Sequence, residues 1–327
     1  KPDSYYNAII NWVKQRYDLI VTKEVINFVP GIVPGIGMAM NCFTQKGDKV
    51  MIQPPVYHPF AWVTTRNERT LVINPLRWEN GMYRMDLDAF REQIKGCKLF
   101  ILCNPHNPGG VVWTEAELRA IADICYDEKV LVFSDEIHAD LTLPPHTHRP
   151  FATVSEKARM NSVTFMSPSK AFNMPGLSAS HALIFNEDLR KRFRIYMDAG
   201  ELDMGHVFAF LSVEAAYSHG TEWLDQCLAY IQGNIDFVDE FLKKHAPKIK
   251  AIRPEASYLV WLDCRELELS QKDLNEFFVD KAHLALNDGE MFGKEGIGFM
   301  RLNVASPRCI IEKAMKQLAD AYQLYIK

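Results

Sequence analysis

The chain has 327 residues, of which 48% are hydrophobic and 24% charged, so it can bury a large core and form one big domain plus a smaller one. The formal net charge is -4, and the scattered lysines and arginines argue against a nucleic-acid or anionic-membrane partner. Seven cysteines without a CxxC pair favour free thiols in a reducing cytosol. No apolar run approaches the roughly 20 residues of a membrane span, which leaves small-molecule chemistry in the cytoplasm as the expected class.

The first residues predict a helix at the start of the chain, with Asp3 or Ser4 as its N-cap. Because residue 1 is a lysine and the helix begins at once, we expect the natural protein to have further residues ahead of Lys1. No internal repeat or low-complexity tract interrupts the sequence, so its organisation follows from the alternation of helices and strands.

A segment rich in glycine and proline, residues 29–37, leads into a predicted helix that begins near Met38. Backbone N–H groups at such a helix start can bind a phosphate group. Ile32 and Val33 are therefore candidate phosphate-binding residues.

The first two-thirds of the chain alternates short apolar strands with helices. One helix is indicated by the capping-box spacing of Thr114 and Glu117, behind which apolar residues recur at helical intervals. Strand, helix and strand within about 35 residues form a βαβ unit, so we expect an α/β fold with a mainly parallel sheet. The predicted strands are Lys49–Ile52, which follows a helix C-cap at Gly47, then 98–103, 129–134 and Ser162–Met166.

The last third has a different pattern, which predicts a second, smaller α+β domain. We place the division near residue 222, giving a large domain of residues 1–222 and a small one of residues 223–327. The predicted elements of the small domain are a long amphipathic helix from Thr221, a strand at 257–262, a helix around 273–279, short strands near His283 and Phe299, and a terminal helix from Pro307.

Three polar residues follow the ends of successive strands: Asn107, Asp135 and Lys170. They are 28 and 35 residues apart, close to one strand-to-strand repeat each, so they can converge at the carboxyl edge of a parallel sheet. Pyridoxal phosphate (PLP) needs these three groups: an amine for its aldehyde, a carboxylate to keep its ring nitrogen protonated, and an amide for its ring oxygen. The pattern predicts a PLP site in which Lys170 also moves the substrate α-proton.

Other residues are candidates for the same site. Ser167 and Ser169 precede Lys170 and can add hydroxyl groups for the phosphate, and Tyr57 follows a strand where it can stack on the cofactor ring. His146 and His148 have no third ligand at a suitable spacing, so we expect them in a solvated loop and predict no metal.

Four ordered motifs, at residues 104–110, 134–141, 167–173 and 299–308, are similar to those of a known group of enzymes. Through them the chain resembles, over essentially its whole length, the fold-type I PLP enzymes of the class I/II aminotransferase superfamily. The resemblance implies the aspartate aminotransferase-like fold, with a large PLP domain and a smaller α+β carboxyl-terminal domain. It also implies a Schiff-base and catalytic role for Lys170 with Tyr57, a pyridine-nitrogen partner in Asp135, and a substrate-carboxylate site of Arg301 with Asn107, which also contacts the ring oxygen.

Within this superfamily, three details resemble the cystathionine β-lyase (MalY/PatB) group of C–S lyases. His138 stands where aspartate aminotransferase-like enzymes have a tyrosine that bonds the ring oxygen, and the segments 54–57 and 286–293 are similar to those of the group. The resemblance implies α,β-elimination of L-cystathionine or L-cysteine-type amino acids to thiol, pyruvate and ammonia. A PLP-dependent aminotransferase is the alternative, because it shares all the strong motifs, and a regulator or ligand sensor with the same fold is a lesser one.

The resemblance also implies a homodimer whose active sites are shared between subunits, with a pocket-lining amino-terminal segment that lies before Lys1. One departure concerns the phosphate, because the arginine that follows the Schiff-base lysine in aspartate aminotransferases has no counterpart in residues 171–180. We therefore expect phosphate binding to depend on Ser167, Ser169, backbone amides and a partner chain.

Overall fold

A computed structural model describes residues 1–325 of the chain. Its strands are β1 (Ile26–Val29), β2 (Lys49–Ile52), β3 (Thr70–Ile73), β4 (Arg77–Glu79), β5 (Met82–Arg84), β6 (Cys97–Cys103), β7 (Leu131–Asp135), β8 (Ser162–Met166), β9 (Ser180–Leu183), β10 (Lys250–Ile252), β11 (Leu259–Asp263), β12 (Asn287–Asp288) and β13 (Phe299–Asn303). Its α-helices are α1 (Asp3–Tyr17), α2 (Ile32–Phe43), α3 (Pro59–Arg66), α4 (Leu87–Gln93), α5 (Glu115–Asp127), α6 (Glu156–Met160), α7 (Glu187–Ala199), α8 (Val207–His219), α9 (Thr221–His245), α10 (Gln271–Glu276) and α11 (Arg308–Tyr325).

The large sheet has seven strands within the described residues, in the order β1-β9-β8-β7-β6-β2-β3. The neighbours β3, β2, β6, β7 and β8 pair in parallel, whereas β9 is antiparallel to both β8 and β1. The predicted α/β fold with a mainly parallel sheet is thus confirmed. The parallel pairing requires helical crossovers, and it brings the carboxyl ends of β6, β7 and β8 to one edge.

Both faces of the sheet are buried, which explains why the central strands are apolar along their whole length. Side chains alternate between two clusters: Leu99 and Ile101 of β6 pack on the side of α2, α3 and α7, and Phe100 and Leu102 pack on the side of α4 and α5. The predicted strands at 98–103 and 129–134 are observed as Cys97–Cys103 and Leu131–Asp135.

The helix predicted behind Thr114 is observed as α5, with the full capping box between Thr114 and Glu117. The predicted start of α2 near Met38 is wrong, because the helix begins six residues earlier at Ile32, after Gly31. Pro34 does not prevent this earlier start, since a proline in the first turn removes no intrahelical hydrogen bond.

Two predicted caps are wrong, the N-cap of α1 at Asp3 or Ser4 and the C-cap at Gly47. Asp3 forms an ion pair with Lys23, and Ser4 donates to a glutamate of α8, so neither caps α1. Gly47 is not the C-cap of α2, which ends at Phe43; it adopts a left-handed φ of 86° in the turn before β2.

The second sheet is antiparallel, in the order β10-β11-β13-β12. The long helix from Thr221 and the strand at Phe299 are confirmed as α9 and β13. The predicted strand near His283 is wrong: His283 adopts a left-handed φ of 55° after a π-helical turn, and the short strand is β12.

One buried cluster joins α1, α8 and α9 to the second sheet, with Trp12, Val213, Leu228 and Leu262 among its members. The core is thus shared across the region in which we expected a domain boundary. A division near residue 222 falls at the start of α9 and stays a prediction. Within residues 1–325, no helix combines the length and the hydropathy that crossing a membrane requires.

Candidate active site

The carboxyl edge of the large sheet forms a cavity of about 440 Å³, into which the strand ends bring the three predicted polar residues. Asp135 is the last residue of β7 and is in register with Cys103 of β6 and Phe165 of β8, so the three strands end at the same level. The wall contains Asn107, Asp135 and Lys170, joined by Tyr57, His138, Ser169, Ile32, Val33 and, from β13, Arg301.

Asp135 lies in the cavity wall and is 4% exposed. Its Oδ1 accepts a hydrogen bond from the backbone N–H of Ile137 at 3.1 Å, while Oδ2 has no partner among residues 1–325. Burial raises the pKa of Asp135 to about 7, because the charged carboxylate loses solvation, although the Ile137 N–H opposes the rise. A cationic hydrogen-bond donor at Oδ2 would stabilise the charged form of this buried carboxyl group.

His138 follows one turn later and is also buried. Its Nδ1 has no hydrogen-bond partner within the described residues, and its ring lies edge-on to Tyr258 at 6.3 Å between centroids. Burial lowers the pKa of His138 to about 3, and the nearby charges of Lys170 and Arg301 act in the same direction. The imidazole is therefore neutral at physiological pH.

Arg301 is held on three sides. Its Nη1 donates to Asn107 Oδ1 at 2.8 Å, its Nη2 donates to Asn287 Oδ1 at 2.7 Å, and its guanidinium carbon lies 4.7 Å from the centroid of the Phe292 ring. Burial lowers the pKa of Arg301 to about 10, which still leaves the group charged, and its Nε has no hydrogen-bond partner within residues 1–325. A fixed, incompletely paired guanidinium suits a carboxylate ligand.

The start of α2 forms another part of the wall. Gly31 precedes the helix with a φ of 132°, which favours glycine, and no side chain caps the first turn. The N–H groups of Ile32 and Val33 are therefore free of side-chain acceptors at a helix start, where an anion is stabilised.

The two predicted serines differ. Ser169 is in the cavity wall, but Ser167 is not: its hydroxyl donates to the Ala179 carbonyl at 2.7 Å and accepts from the Ser169 N–H at 3.1 Å. The phosphate-binding role of Ser167 stays a prediction. Ser167 holds the turn that carries Lys170.

Tyr57 lies in the cavity wall, partly buried, just before α3, and its ring is edge-on to Phe60 at 5.8 Å. Burial raises its pKa, and the negative charge of Asp135 adds to this. The phenol is thus neutral at physiological pH, and its stacking role stays a prediction.

Sequence reasoning missed several wall residues: His58, Ser178, Ser180, Tyr258 and Asn303. Ser178 and Ser180 lie within or next to the segment where the expected arginine is absent, and that absence was the signal for other phosphate-binding groups. Tyr258 could not be found in this way, because it comes from the strand region of the second sheet and reaches the cavity only through the tertiary fold.

The interpretation of His148 as a residue of a solvated loop is wrong. His146 is exposed, but His148 is buried and its Nε2 lies 2.8 Å from Glu136 Oε2. Among residues 1–325, no group of three or more histidine, cysteine, aspartate or glutamate side chains is arranged to hold a metal ion.

Comparisons with known proteins agree with this geometry. The family model for class I and II aminotransferases matches residues 2–318, a range that includes every residue of the cavity wall. Cystathionine β-lyase PatB of Bacillus subtilis (strain 168) is 38% identical over 317 residues, which cover 96% of this chain and 82% of PatB.

Solved structures of PLP-bound enzymes are also similar to this chain. Cystalysin from Treponema denticola, crystallised with PLP, has a TM-score of 0.97 and 34% identity, over 100% of this chain and 83% of that one. A PLP-bound C–S lyase from Staphylococcus hominis has a TM-score of 0.91 and 33% identity, over 98% of this chain and 82% of that one.

Proposed function

The chain belongs to the class I and II aminotransferase family, and from this membership we propose that it is a PLP-dependent carbon–sulfur β-lyase. Its substrates are L-amino acids with a sulfur leaving group on Cβ, such as L-cystathionine or L-cysteine, and its products are a thiol, pyruvate and ammonia. The observation that carries the proposal is the guanidinium of Arg301, hydrogen-bonded to Asn107 in the wall that also contains Asp135 and Lys170.

The residues of the cavity fit PLP. Within the described residues, Asp135 in the cavity wall has one carboxylate oxygen without a partner, His138 has a buried nitrogen without one, and α2 begins without a side-chain cap. The groups proposed to hold the cofactor are Lys170, Asp135, His138, Asn107, Tyr57, Ser169 and the amides of Ile32 and Val33.

When bound, PLP supplies an electron sink that stabilises negative charge on the substrate Cα. Arg301 binds the substrate carboxylate and so fixes the orientation of the Cα–H bond. Lys170 Nζ, which has no hydrogen bond or ion pair within residues 1–325, holds the cofactor aldehyde and moves the α-proton. Asp135 holds the proton at the ring nitrogen, where a buried carboxylate is most effective.

Elimination is favoured over amino transfer by the likeness to proteins that are named as lyases, PatB and the Staphylococcus hominis C–S lyase. The two reactions share the residues that remove the α-proton and differ only in what happens to the resulting negative charge. In elimination the charge on Cα expels the thiolate from Cβ, and water then hydrolyses the remaining three-carbon unit to pyruvate and ammonia, so no 2-oxo acid is needed.

The experiment that tests the proposal gives the PLP-loaded protein L-cystathionine without any 2-oxo acid and follows pyruvate and free thiol over many turnovers. Sustained release of both in equal amounts is expected. Release only after a 2-oxo acid is added would assign the protein as an aminotransferase, and binding without turnover would favour the regulator.

We also propose a homodimer with shared sites in a reducing compartment. The exposed apolar side chains of Val207, Phe208 and Leu211 at the start of α8 support an interface, and all seven cysteines are unpaired. Sedimentation of the protein and of Phe208→Glu tests the dimer, because a charge in this interface should shift the protein towards monomer.

A further inference from the structure

The end of β7 and the residues that follow it direct two polar side chains into the cavity and two acidic ones away from it. Asp135 and His138 line the cavity, whereas Glu136 and Asp140 do not. Glu136 is 1% exposed and Asp140 is 6% exposed. Two carboxyl groups buried outside the cavity within a six-residue segment need strong partners, because a buried carboxylate without partners is costly.

Glu136 has partners at both of its oxygens. Its Oε1 accepts from the Ser134 hydroxyl at 2.7 Å and from the Phe151 N–H at 2.8 Å, and its Oε2 lies 2.8 Å from His148 Nε2. The side chain of His148 is as buried as that of Glu136. Glu136 thus ties the residue next to Asp135 to a separate segment of the chain, residues 148–151.

Asp140 is held by two side chains of α1. Its Oδ1 accepts from the indole Nε1 of Trp12 at 3.0 Å and from the hydroxyl of Tyr17. The Tyr17 ring also lies edge-on to the His148 ring at 5.4 Å between centroids, so the two anchors contact each other. Asp140 ties the segment two residues after His138 to a helix that does not line the cavity.

We infer that Glu136 and Asp140 are positioning residues that direct Asp135 and His138 into the cavity. Each lies next to, or two residues from, the side chain that it positions, so its hydrogen bonds fix the backbone from which that side chain projects. Hydrogen-bond partners that do not touch the ligand orient the residues that do. A binding site is effective when its ligand-contacting residues are held in this way. The inference rests on the proposed function, because the effect is measured on bound PLP.

The experiment compares wild type, Glu136→Gln and Asp140→Asn as apo-proteins reconstituted with PLP. The readouts are the dissociation constant of PLP and the visible circular dichroism per bound cofactor, which reports how rigidly the ring is oriented. We expect both variants to bind PLP about tenfold more weakly, the lower end of the effect known for outer partners of metal ligands, with altered dichroism. Ser134→Ala removes one hydrogen-bond donor to Glu136, and Tyr17→Phe removes one to Asp140. Both should show the same changes in PLP affinity and dichroism to a smaller degree. They replace the first two variants in the experiment if those do not fold.

Arg69→Gln is the matched control. Arg69 is also a buried charged residue, with hydrogen bonds to the Thr44 hydroxyl and carbonyl at 2.9 and 2.6 Å, but it precedes β3 at the opposite edge of the sheet. The Arg69→Gln substitution should lower the melting temperature and leave the PLP dissociation constant and the dichroism unchanged. Variants at Glu136 and Asp140 that lower only the melting temperature would overturn the inference while the proposed function stands. A wild-type protein that does not take up PLP would overturn the proposed function itself.

Discussion

Arg301 Nη1 and Asn107 Oδ1 lie 2.8 Å apart, although the two residues are 194 positions apart in the chain and belong to different sheets. Arg301 is on β13 of the second sheet, and Asn107 follows β6 of the first. This hydrogen bond therefore joins the two parts of the molecule at the cavity. It also means that Asn107 orients the guanidinium at the same place where it is proposed to contact the cofactor.

Replacement of Arg301 by lysine should weaken substrate binding. Lysine keeps the charge but loses the planar group that bonds Asn107, Asn287 and a carboxylate together. We expect KM for L-cystathionine to rise about 10- to 100-fold, with a smaller change in kcat and no change in bound PLP. Steady-state kinetics and cofactor absorbance measure this.

Arg308→Lys is the control for that substitution. Arg308 also lies 4.7 Å from a phenylalanine ring, that of Phe237, and also donates to an asparagine, Asn234, but it is outside the cavity wall. The KM of Arg308→Lys for L-cystathionine should equal that of wild type. A rise in KM of the same size at Arg308 would mean that Arg301 acts through general stability.

Borohydride reduction of the PLP-loaded protein should attach the cofactor to Lys170 alone. Lys170 is the lysine of the cavity wall, and it has no competing hydrogen bond within the described residues. Peptide mapping by mass spectrometry identifies the labelled residue. Lys170→Ala should lose the label and reduce turnover about 10³-fold or more, because the proposed base is removed; a label on another lysine contradicts the assignment.

The sequence predicted the strand ends and the residues that follow them, because both depend on local patterns. β6, β7 and β8 are buried on both faces and therefore read as apolar runs, so their ends were within two residues of the observed ones. Asn107 and Asp135 follow directly from those ends. Because the carboxyl ends of parallel strands lie at the same edge of the sheet, the two residues are expected close together from the sequence alone.

Residues whose position depends on tertiary contacts were missed or misread. The hydrogen bond from the Ser167 hydroxyl to the Ala179 carbonyl joins residues 12 positions apart, and no local pattern reveals it. His148 looked like a loop residue because its partner, Glu136, lies 12 positions earlier behind the cavity. Asn287 reaches Arg301 only through the pairing of β12 with β13.

Gly35 should be intolerant of a side chain although it lies in a helix. A Cβ at Gly35 would be 2.9 Å from Val29 Cγ2 and 3.2 Å from Phe165 Cε1, because α2 packs closely against the sheet there. We expect Gly35→Ala to destabilise the protein by about 1–3 kcal/mol through overpacking. Gly233 of α9 is the matched control, since its Cβ would meet only Arg308 at 3.5 Å; Gly233→Ala should raise the melting temperature, as alanine is the better helix former.

The raised pKa of Asp135 should make the stability of the apo-protein depend on pH in a way that an asparagine removes. The unfolded chain has the ordinary carboxyl pKa of 3.8 and the folded chain one of about 7, so between these values only the folded state holds the proton. Stability therefore falls as pH rises from 3.8 through about 7, by about 4 kcal/mol at most, and then levels off. Asp135→Asn cannot ionise and escapes this loss.

Melting temperatures of both apo-proteins at about pH 5 and about pH 8 measure the effect. The melting temperature of Asp135→Asn relative to that of wild type should be higher at about pH 8 than at about pH 5. The buried histidines, whose pKa values are lowered, are common to both proteins and cancel in the difference, so an advantage that is equal at the two pH values would show that Asp135 is already ionised in the folded apo-protein at the lower one.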